Sequence, residues 1–533
     1  MTIRRHGPSL ACLATLIGLA GCKVTRDDIE YWKGTVKGPG KIVAVLRSER
    51  YPMELRIEAA LALVEMERTD IDGVARLGDE LGRLDVATRT AVVEGLVPRL
   101  EAILRGEDGS QGAGPATGVP PGTQIRAKDA AFLITSHAGP AARQRLVEAM
   151  LRWFIVDFEG RNLTGQHSGQ QVVESLGAPA AAMLVDALGP DGSNESLVRL
   201  AQLIKQYGDP ETRARAAQRL VQVEAEIQSP AYLDRLAARI REQLEARRQT
   251  VDPAQVAASA RATREERINA GVLPAMQHLA SEPSVAERLL AIASVSDTSP
   301  AGVERRVRAL RALGQSATRA HLDRLLALAL DPAAPVPVRD EAFDRIGDIG
   351  SPDAIPRLWP LLENAATQGT DAEKERAQRL RWRAGELILH LGGGRVVAEF
   401  FNRLPTAEGV AYEPEELEGY AQRLSLMTPP PTDFVRAQLQ SPDWWDRVIA
   451  LRFLERRGTQ ADAAAMARLE RDGTQVAGKH WRNFEQSTVG HVATAALRAM
   501  RERLAEPTAP TEEPRPGADG GGARPATAMQ QTP

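Results

Sequence analysis

Apolar positions recur at helical spacing through most of the chain, and residues 338–363 show this pattern most clearly. One predicted helical face carries Val338, Ala342, Ile346 and Ile349. A Gly-Ser-Pro break at 350–352 ends that helix. A second apolar face then follows, formed by Ile355, Leu358, Leu361 and Leu362. Neither helix has enough apolar surface to be stable alone, so the pair is predicted to pack against neighbours like itself.

A second pattern recurs along the chain: an arginine, an alanine three residues later, and an aliphatic residue four further on. Its copies are Arg56/Ala59/Leu63, Arg213/Ala216/Leu220, Arg288/Ala291/Val295, Arg306/Ala309/Leu313, Arg339/Ala342/Ile346 and Arg447/Ala450/Leu454. These offsets place the three side chains near one helical face, with the arginine stem over apolar surface. Arg306 and Arg339 are 33 residues apart, a spacing typical of repeated helix pairs. Arg288 and Arg306 are 18 apart and are predicted to lie on the two helices of one pair.

Residues 338–363 resemble a HEAT repeat. They carry Val-Arg-x-x-Ala, then Ile-Gly-x-Ile-Gly, then Ala-Ile-Pro-x-Leu-x-x-Leu-Leu, as in the PBS-lyase-like HEAT repeat family. Looser copies extend the resemblance over residues 28–505. It implies an all-α fold, a right-handed α-solenoid of HEAT-like antiparallel helix pairs whose inner helices line a concave surface.

Prolines and glycines indicate where helices begin and end. Helix starts are predicted at Asp209-Pro210, Ser229-Pro230, Asp252-Pro253, Ser299-Pro300 and Ser441-Pro442-Asp443. Helices are also predicted over 28–33 and 41–47, with a Gly-Pro-Gly turn at 38–40 between them. Residues 153–158 continue a helical pattern and are predicted to be buried helix. The glycines at 392–394 follow a helix rather than a strand, which predicts a helix end and hinge instead of a phosphate loop.

Three stretches depart from the repeats in composition. Residues 107–124 are predicted to be a flexible insertion, because Gly and Pro are the most frequent residues. Residues 427–432 contain three consecutive prolines and are predicted to be a stiff linker. Residues 506–533 are rich in Pro, Gly, Thr and Ala, which predicts a disordered tail.

The N-terminus has the features of an export signal. Arginines at 4 and 5 precede an apolar run over 10–20 that is too short to span a bilayer. Leu19-Ala20-Gly21-Cys22 resembles the lipobox of bacterial lipoprotein signal peptides. The resemblance implies a signal peptide over 1–21, cleavage between Gly21 and Cys22, and acylation (palmitate) of Cys22 ahead of a short tether over 22–27. An ordinary secretory signal is the alternative.

The predicted cellular location is the bacterial cell envelope. The lipid on Cys22 would hold the protein at the membrane. In enterobacterial lipoproteins an Asp after the lipidated cysteine favours the inner membrane, so the resemblance together with Lys23 implies the outer membrane, facing the periplasm. The two cysteines, Cys12 and Cys22, both lie at the N-terminus, so a disulfide, a thiolate metal site or a cysteine nucleophile in the folded body is excluded.

Composition supports a helical protein without a nucleic-acid partner. The chain has 533 residues, of which 43% are hydrophobic and only 4% aromatic. Its 67 basic and 70 acidic side chains give a formal charge of −3, whereas nucleic-acid binding requires a basic surface. We expect no nucleic acid as partner.

No catalytic, cofactor-binding or metal-binding residue is predicted. His480 and His491 are eleven residues apart, but Gly478, Asn483 and Gly490 argue against a straight helix, and surface or capping histidines are the preferred interpretation. Paired acids such as Glu415 and Glu416 are interpreted as solvated helix surface. The protein is therefore not expected to be an enzyme.

Trp444 and Trp445 are a possible partner contact. Adjacent residues on a helix point about 100° apart, so one ring is predicted to face the core and the other a groove. The alternative is that both rings are buried between successive repeats.

The predicted function is a membrane-anchored scaffold or adaptor that binds envelope proteins or peptides on the concave face of the solenoid. Two alternatives stay open. One is a solenoid enzyme or small-ligand binder whose groove forms only in three dimensions, and the other is a structural lipoprotein that binds the cell wall. A deep cleft in which His, Asp and Arg converge would favour the enzyme.

Overall fold

The structure is a computed structural model that describes residues 24–67, 71–106 and 122–505. Over these ranges the chain is all-α, as predicted, and its one β-type contact is an isolated bridge between Gln475 and Thr488. None of the helices in these ranges is both long and apolar enough to cross a bilayer. Residues 1–23 and 506–533 lie outside the described part, so the signal peptide, Cys22 and the tail stay predictions.

The chain divides into two compact units, an N-terminal unit of residues 1–345 and a C-terminal unit of residues 346–533. The sequence predicted one solenoid over 28–505 that contains an insertion at 107–124 and a Pro-rich linker at 427–432. The α-helices, in chain order, are α1 (Arg26–Lys33), α2 (Gly38–Arg47), α3 (Met53–Glu65), α4 (Gly73–Arg83), α5 (Val86–Arg105), α6 (Gly122–Ile134), α7 (Pro140–Val156), α8 (Phe158–Asn162), α9 (Gly169–Leu176), α10 (Ala178–Leu184), α11 (Asn194–Tyr207), α12 (Pro210–Gln228), α13 (Pro230–Ala246), α14 (Pro253–Glu266), α15 (Leu273–His278), α16 (Pro283–Ala293), α17 (Pro300–Leu313), α18 (Leu322–Leu330), α19 (Val336–Ile349), α20 (Ile355–Leu362), α21 (Asp371–Gly392), α22 (Val397–Arg403), α23 (Pro414–Ser425), α24 (Thr432–Ala437), α25 (Trp444–Arg457), α26 (Ala463–Arg468) and α27 (Val489–Ala505).

Short helical turns complete the connections. A π-helical turn, Arg267–Val272, joins α14 to α15. The 3₁₀ turns are Thr135–His137, Val185–Ala187, Gly314–Ser316, Arg319–His321, Pro352–Ala354, Gly393–Val396, Gln438–Gln440, Gln460–Asp462, Leu469–Arg471 and Trp481–Phe484.

Helices of the N-terminal unit pack against near neighbours in the chain, as in a HEAT-like solenoid. Helix α3 packs against α2, α4 and α5, and α5 packs in turn against α6 and α7. The order is interrupted once, because α11 packs on α15 and α12 on α16. Helices α13 and α14 pack on each other as a hairpin outside this order. Few of the hairpin's side chains are buried, namely Tyr232, Leu236, Val256 and Ala260.

Helices of the C-terminal unit also pack against near neighbours in the chain. Helix α21 packs on α20, α23 on α21, α25 on α23 and α27 on α25. Because α23 and α25 pack directly, the loop at 427–431 lies inside one packed unit. The predicted Pro-rich linker at 427–432 thus falls between α23 and α24. Its prolines restrict the backbone φ angle and remove backbone donors.

The HEAT-like segment has the predicted elements. Helix α19 ends at Ile349, and Gly350 then adopts a φ of +66°, a left-handed conformation that glycine tolerates best. A 3₁₀ turn at Pro352–Ala354 leads into α20. Val338, Ala342 and Ile346 are fully buried, as the apolar pattern predicts, whereas Ile349 is half-buried.

The arginines of the repeated pattern have a shared structural role that the sequence did not specify. In three copies Nε donates to a carbonyl oxygen in the last turn of the preceding helix: Arg56 to Leu46, Arg306 to Ala293 and Arg339 to Ala329, at 2.8, 2.8 and 3.0 Å. All three side chains are buried. The last carbonyls of a helix have no partner within it, so a buried cation there satisfies both a hydrogen bond and the helix dipole. These arginines therefore join consecutive helices.

The predicted starts of α2 and α6 are wrong. Helix α2 begins at Gly38, so the Gly-Pro-Gly stretch is its first turn rather than a separate turn. Proline fits there because the first turn of a helix needs no backbone donor. Helix α6 begins at Gly122, so residues 122–124 are helical. The remainder of the predicted insertion, 107–121, lies outside the described residues.

Candidate functional site

The N-terminal unit contains an open groove between α5 and α7, with a volume of about 680 Å³. Its lining is Glu101, Leu104, Arg105, Arg145, Glu148, Ala149, Arg152, Trp153, Val156 and Arg161. We call this feature the α5–α7 groove. Four arginines and two glutamates give its lining a formal charge of +2, although the whole chain carries −3. The groove is therefore a local positive region on a nearly neutral protein.

Helix α7 forms one wall of the groove because it is amphipathic. Its lining residues follow offsets of three and four, which places them on one side of the helix. The opposite side points into the core, where Leu146, Met150 and Phe154 are fully buried. Val156, in the last turn of α7, is 73% exposed although it is aliphatic.

Arg145 fixes the two walls of the groove to each other. Its guanidinium donates to both carboxylate oxygens of Glu101 on α5, with the Nε–Oε1 distance at 2.9 Å. A bidentate pair of this kind is strong and geometrically specific. Arg145 and Glu101 are therefore assigned to holding the groove open rather than to binding a ligand.

Arg161 is a cation held in place beside the groove. Asp157 ends α7 and accepts a hydrogen bond from the Gly160 amide at 3.0 Å, which starts α8 and turns the chain back. The Arg161 guanidinium lies 4.9 Å from the Trp153 ring centroid, and its Nη1 donates to the Trp153 carbonyl oxygen at 2.7 Å. Trp153 is held in turn by a hydrogen bond from its Nε1 to Gln124.

No carboxylate of the described residues lies within ion-pair distance of the Arg161 guanidinium. Burial lowers the pKa of this guanidinium below its ordinary value, and the charge of Asp157 offsets only part of that effect. A partly desolvated cation without an ion-pair partner attracts anions, because part of the cost of removing its water has already been incurred during folding.

Arg152 is a highly exposed cation of the groove. Its side chain is 73% exposed, and its nearest carboxylate oxygen, on Glu148, is 3.7 Å away. An exposed pair at i and i+4 with this spacing contributes little energy, so Arg152 can exchange Glu148 for another carboxylate at little cost. The groove thus offers one mobile and one fixed arginine.

Trp444 and Trp445 do not form the predicted partner contact. They are 8% and 7% exposed, because both rings pack in a cluster with Tyr412. Trp481 completes the cluster, and its Nε1 donates to the Tyr412 carbonyl oxygen at 2.8 Å. Two adjacent side chains of α25 can both be buried because neighbouring segments cover the helix on two sides. The alternative interpretation, in which both rings are buried, is the one the structure supports.

His480 lies beside two carboxylates rather than beside His491. Its Nδ1 is 3.7 Å from Glu413 and 3.8 Å from Glu415. This is the one group in the described part of the chain with three potential metal-ligand side chains in reach of each other. Both oxygens of Glu413 already accept backbone hydrogen bonds, from Lys479 and His480, each at 2.9 Å. We therefore assign this cluster to closing the turn at 479–480 onto the start of α23.

A buried lysine in the N-terminal unit is also structural. Lys128 on α6 is fully buried, and its Nζ donates to Asp129 and to the carbonyl oxygens of Thr164 and His167. Asp129 accepts the backbone amides of Gln166 and His167. Burial lowers the pKa of Lys128, with the Asp129 carboxylate opposing that effect. The two side chains hold the loop before α9 and leave no free reactive group.

The α5–α7 groove was not predicted from the sequence. Its residues extend from Glu101 to Arg161 on three helices. The one local signal is the seven-residue step from Arg145 to Arg152, which places two arginines on the same side of a helix. A smaller cavity of about 170 Å³, lined partly by Arg288, Asp297 and Arg305, is also present in this unit. Neither lining contains a histidine, so neither matches the cleft expected of the enzyme alternative.

Comparisons with known proteins add little to this description. No protein-family profile matches the chain, and no curated protein matches it either. Among solved structures, the chain is similar to Kap121p in its crystal structure bound to Pho4p, with a TM-score of 0.33 and 15% identity over 90% of this chain and 45% of that one. It is also similar to importin beta, with a TM-score of 0.28 and 11% identity over 91% of this chain and 64% of that one. The chain thus spans about half the length of the Kap121p structure. The all-α HEAT-like assignment is based on the helices described above.

Proposed function

We propose that this protein is a lipid-anchored scaffold of the bacterial cell envelope that binds other proteins through its helical repeats. The observation that carries the proposal is the α5–α7 groove. It is open, 680 Å³ in volume, and combines exposed aliphatic and arginine side chains on one side of α7. Open surfaces of this kind suit a peptide or a protein surface, whereas small ligands bind mainly in enclosed, largely apolar pockets.

The lipid anchor in this proposal depends on the lipobox-like sequence that ends at Cys22. Two or three acyl chains on this residue would hold the protein at the membrane, since each buried CH₂ contributes about 0.8 kcal/mol. Lys23 is the basis for proposing the outer membrane, with the repeats facing the periplasm.

Cys22→Ser is expected to abolish lipid labelling and release the protein from membranes. Growing cells would be labelled with an alkyne analogue of palmitate, and the protein would be captured, coupled to a fluorophore and compared with wild type. Cys12→Ser is the matched control, since that residue lies in the segment expected to be removed. Equal labelling of wild type and Cys22→Ser would contradict the anchor.

A photo-crosslinking residue in the α5–α7 groove is expected to capture a protein partner in living cells. p-Benzoylphenylalanine at position 152 should give discrete adducts on irradiation. The same residue at position 498 is the control, because Arg498 is 82% exposed and also pairs at i and i+4, but lies on α27 in the other unit. Identical adduct patterns at the two positions, or none at position 152, would contradict protein binding at this groove.

A further inference from the structure

We infer that the α5–α7 groove binds a short acidic segment of a partner protein, whose carboxylates pair with Arg152 and Arg161. This inference rests on the proposed function and adds the chemical class of the partner. It starts from the positive charge of the lining, which is the opposite of the net charge of the chain. Charge complementarity of this kind sets partner choice and association rate more than it sets affinity.

The two arginines supply complementary parts of such a site. Arg161 is fixed by its stacking on Trp153 and its bond to the Trp153 carbonyl, so little conformational entropy is lost when it binds a carboxylate. Arg152 is exposed and held only by Glu148 at 3.7 Å. An incoming carboxylate can replace Glu148 and form the shorter, bidentate contact that arginine favours.

The glutamates and apolar residues of the lining favour a peptide over a polyphosphate. Glu101 and Glu148 would repel a continuous row of phosphates, whereas Glu148, which is only loosely paired, can accept N–H groups or balance a basic residue of a peptide. Leu104, Ala149 and the exposed Val156 are apolar residues of the same lining. An aliphatic residue of the peptide next to the acidic ones would pack on them and bury Val156.

Fluorescence anisotropy on the full chain in detergent tests the inference directly. The probe is a fluorescein-labelled octapeptide of alternating Glu and Val, and its counterpart with Gln in place of Glu is the control peptide. The acidic peptide should bind at least about tenfold more tightly than the Gln peptide at low salt, and salt should weaken its binding. Equal binding of the two peptides would overturn the inference.

Two variants with opposite expected effects separate binding from folding. Arg152→Glu should weaken binding of the acidic peptide by about tenfold or more. Glu148→Gln should strengthen binding, because it removes the carboxylate that competes for Arg152, and a misfolded variant would not bind more tightly. Arg498→Glu is the matched control and should leave binding unchanged. Unchanged binding in both groove variants would overturn the inference.

Vesicles of phosphatidylglycerol give the competing outcome. If they bind through Arg152 while the acidic peptide does not bind, the groove would belong to lipid phosphates and the inference would be wrong. If crosslinking at position 152 captures a protein but the acidic and Gln peptides bind equally, protein binding stands and only the acidic class fails. The two experiments therefore distinguish failure of this inference from failure of the proposed function.

Discussion

Arg381→Met is expected to lower the free energy of unfolding of the C-terminal unit by about 3–5 kcal/mol. Arg381 on α21 and Glu416 on α23 are buried, with side-chain exposures of 0% and 2%. Nε and Nη2 of the arginine donate to the two carboxylate oxygens at 2.7 and 2.8 Å. Burial by itself would lower the pKa of Arg381, but the hydrogen bonds and charge of Glu416 raise it above its ordinary value. Without the arginine, a carboxylate stays buried with no cation.

The surroundings of this pair make the loss difficult to repair. Nη2 also donates to the Ala411 carbonyl oxygen at 2.7 Å, and the guanidinium lies 4.2 Å from the Tyr412 ring centroid. The Tyr420 hydroxyl donates to Glu416 at 2.9 Å. Gly385 on α21 permits this approach, because a Cβ there would lie 2.4 Å from the Tyr420 ring. Water therefore has little room to replace the guanidinium.

Denaturant titration followed by tryptophan fluorescence measures this effect, since five of the seven tryptophans lie in the C-terminal unit. The double variant Arg381→Met with Glu416→Leu should recover most of the lost stability, because it buries no unpaired charge. Arg498→Met, at an exposed ion pair, is the control and should cause no measurable loss. A loss no greater in Arg381→Met than in this control would disprove the role assigned to the buried pair.

Replacing Asp446 with asparagine is expected to raise the free energy of unfolding of the C-terminal unit at pH 8 and to raise it much less at pH 5. Burial raises the pKa of Asp446 from 3.8 to about 7. Ser441 donates to Oδ2 at 2.8 Å, whereas Oδ1 has no hydrogen-bond partner among the described residues. The charge of Asp443 raises this pKa further, and that of Arg447 opposes the shift.

The direction of the pH effect follows from proton binding. Between about pH 4 and pH 7 the folded protein holds a proton on Asp446 that the unfolded chain has lost. Stability therefore falls as pH rises through this range, and the full cost, reached above pH 7, is up to about 4 kcal/mol. Asparagine keeps an acceptor for Ser441 and carries no charge, so it removes this cost.

The measurement is the difference in unfolding free energy between Asp446→Asn and wild type from pH 5 to pH 8, which cancels the other titrating groups. This difference should grow with pH and level off above about pH 7. Asp433→Asn is the control, because the Asp433 side chain is 97% exposed and its variant should follow the wild-type profile. A constant difference between Asp446→Asn and wild type across this range would rule out the shifted carboxyl.

Local sequence signals predicted the helices well. Proline after Asp or Ser marked the starts of α12, α13, α14 and α17 at the residues predicted, because an N-cap and a first-turn proline act within a few residues. The 33-residue step from Arg306 to Arg339 spans one helix pair, since Arg306 lies on α17 and Arg339 lies on α19. The role of the arginines could not be predicted, because the carbonyl that each one meets belongs to another helix.

The sequence by itself determined the all-α class, the helix-pair period and most helix starts, because these depend on a 3.6-residue periodicity and on caps that act over one turn. The lipobox-like segment that ends at Cys22 is the basis for the proposed location in the cell envelope. Only the tertiary structure decided which charged residues are buried and which are accessible. Arg381 and Arg152 look alike in sequence, but one is enclosed by α23 and the other lines an open groove, because packing partners 35 or more residues away determine their solvation.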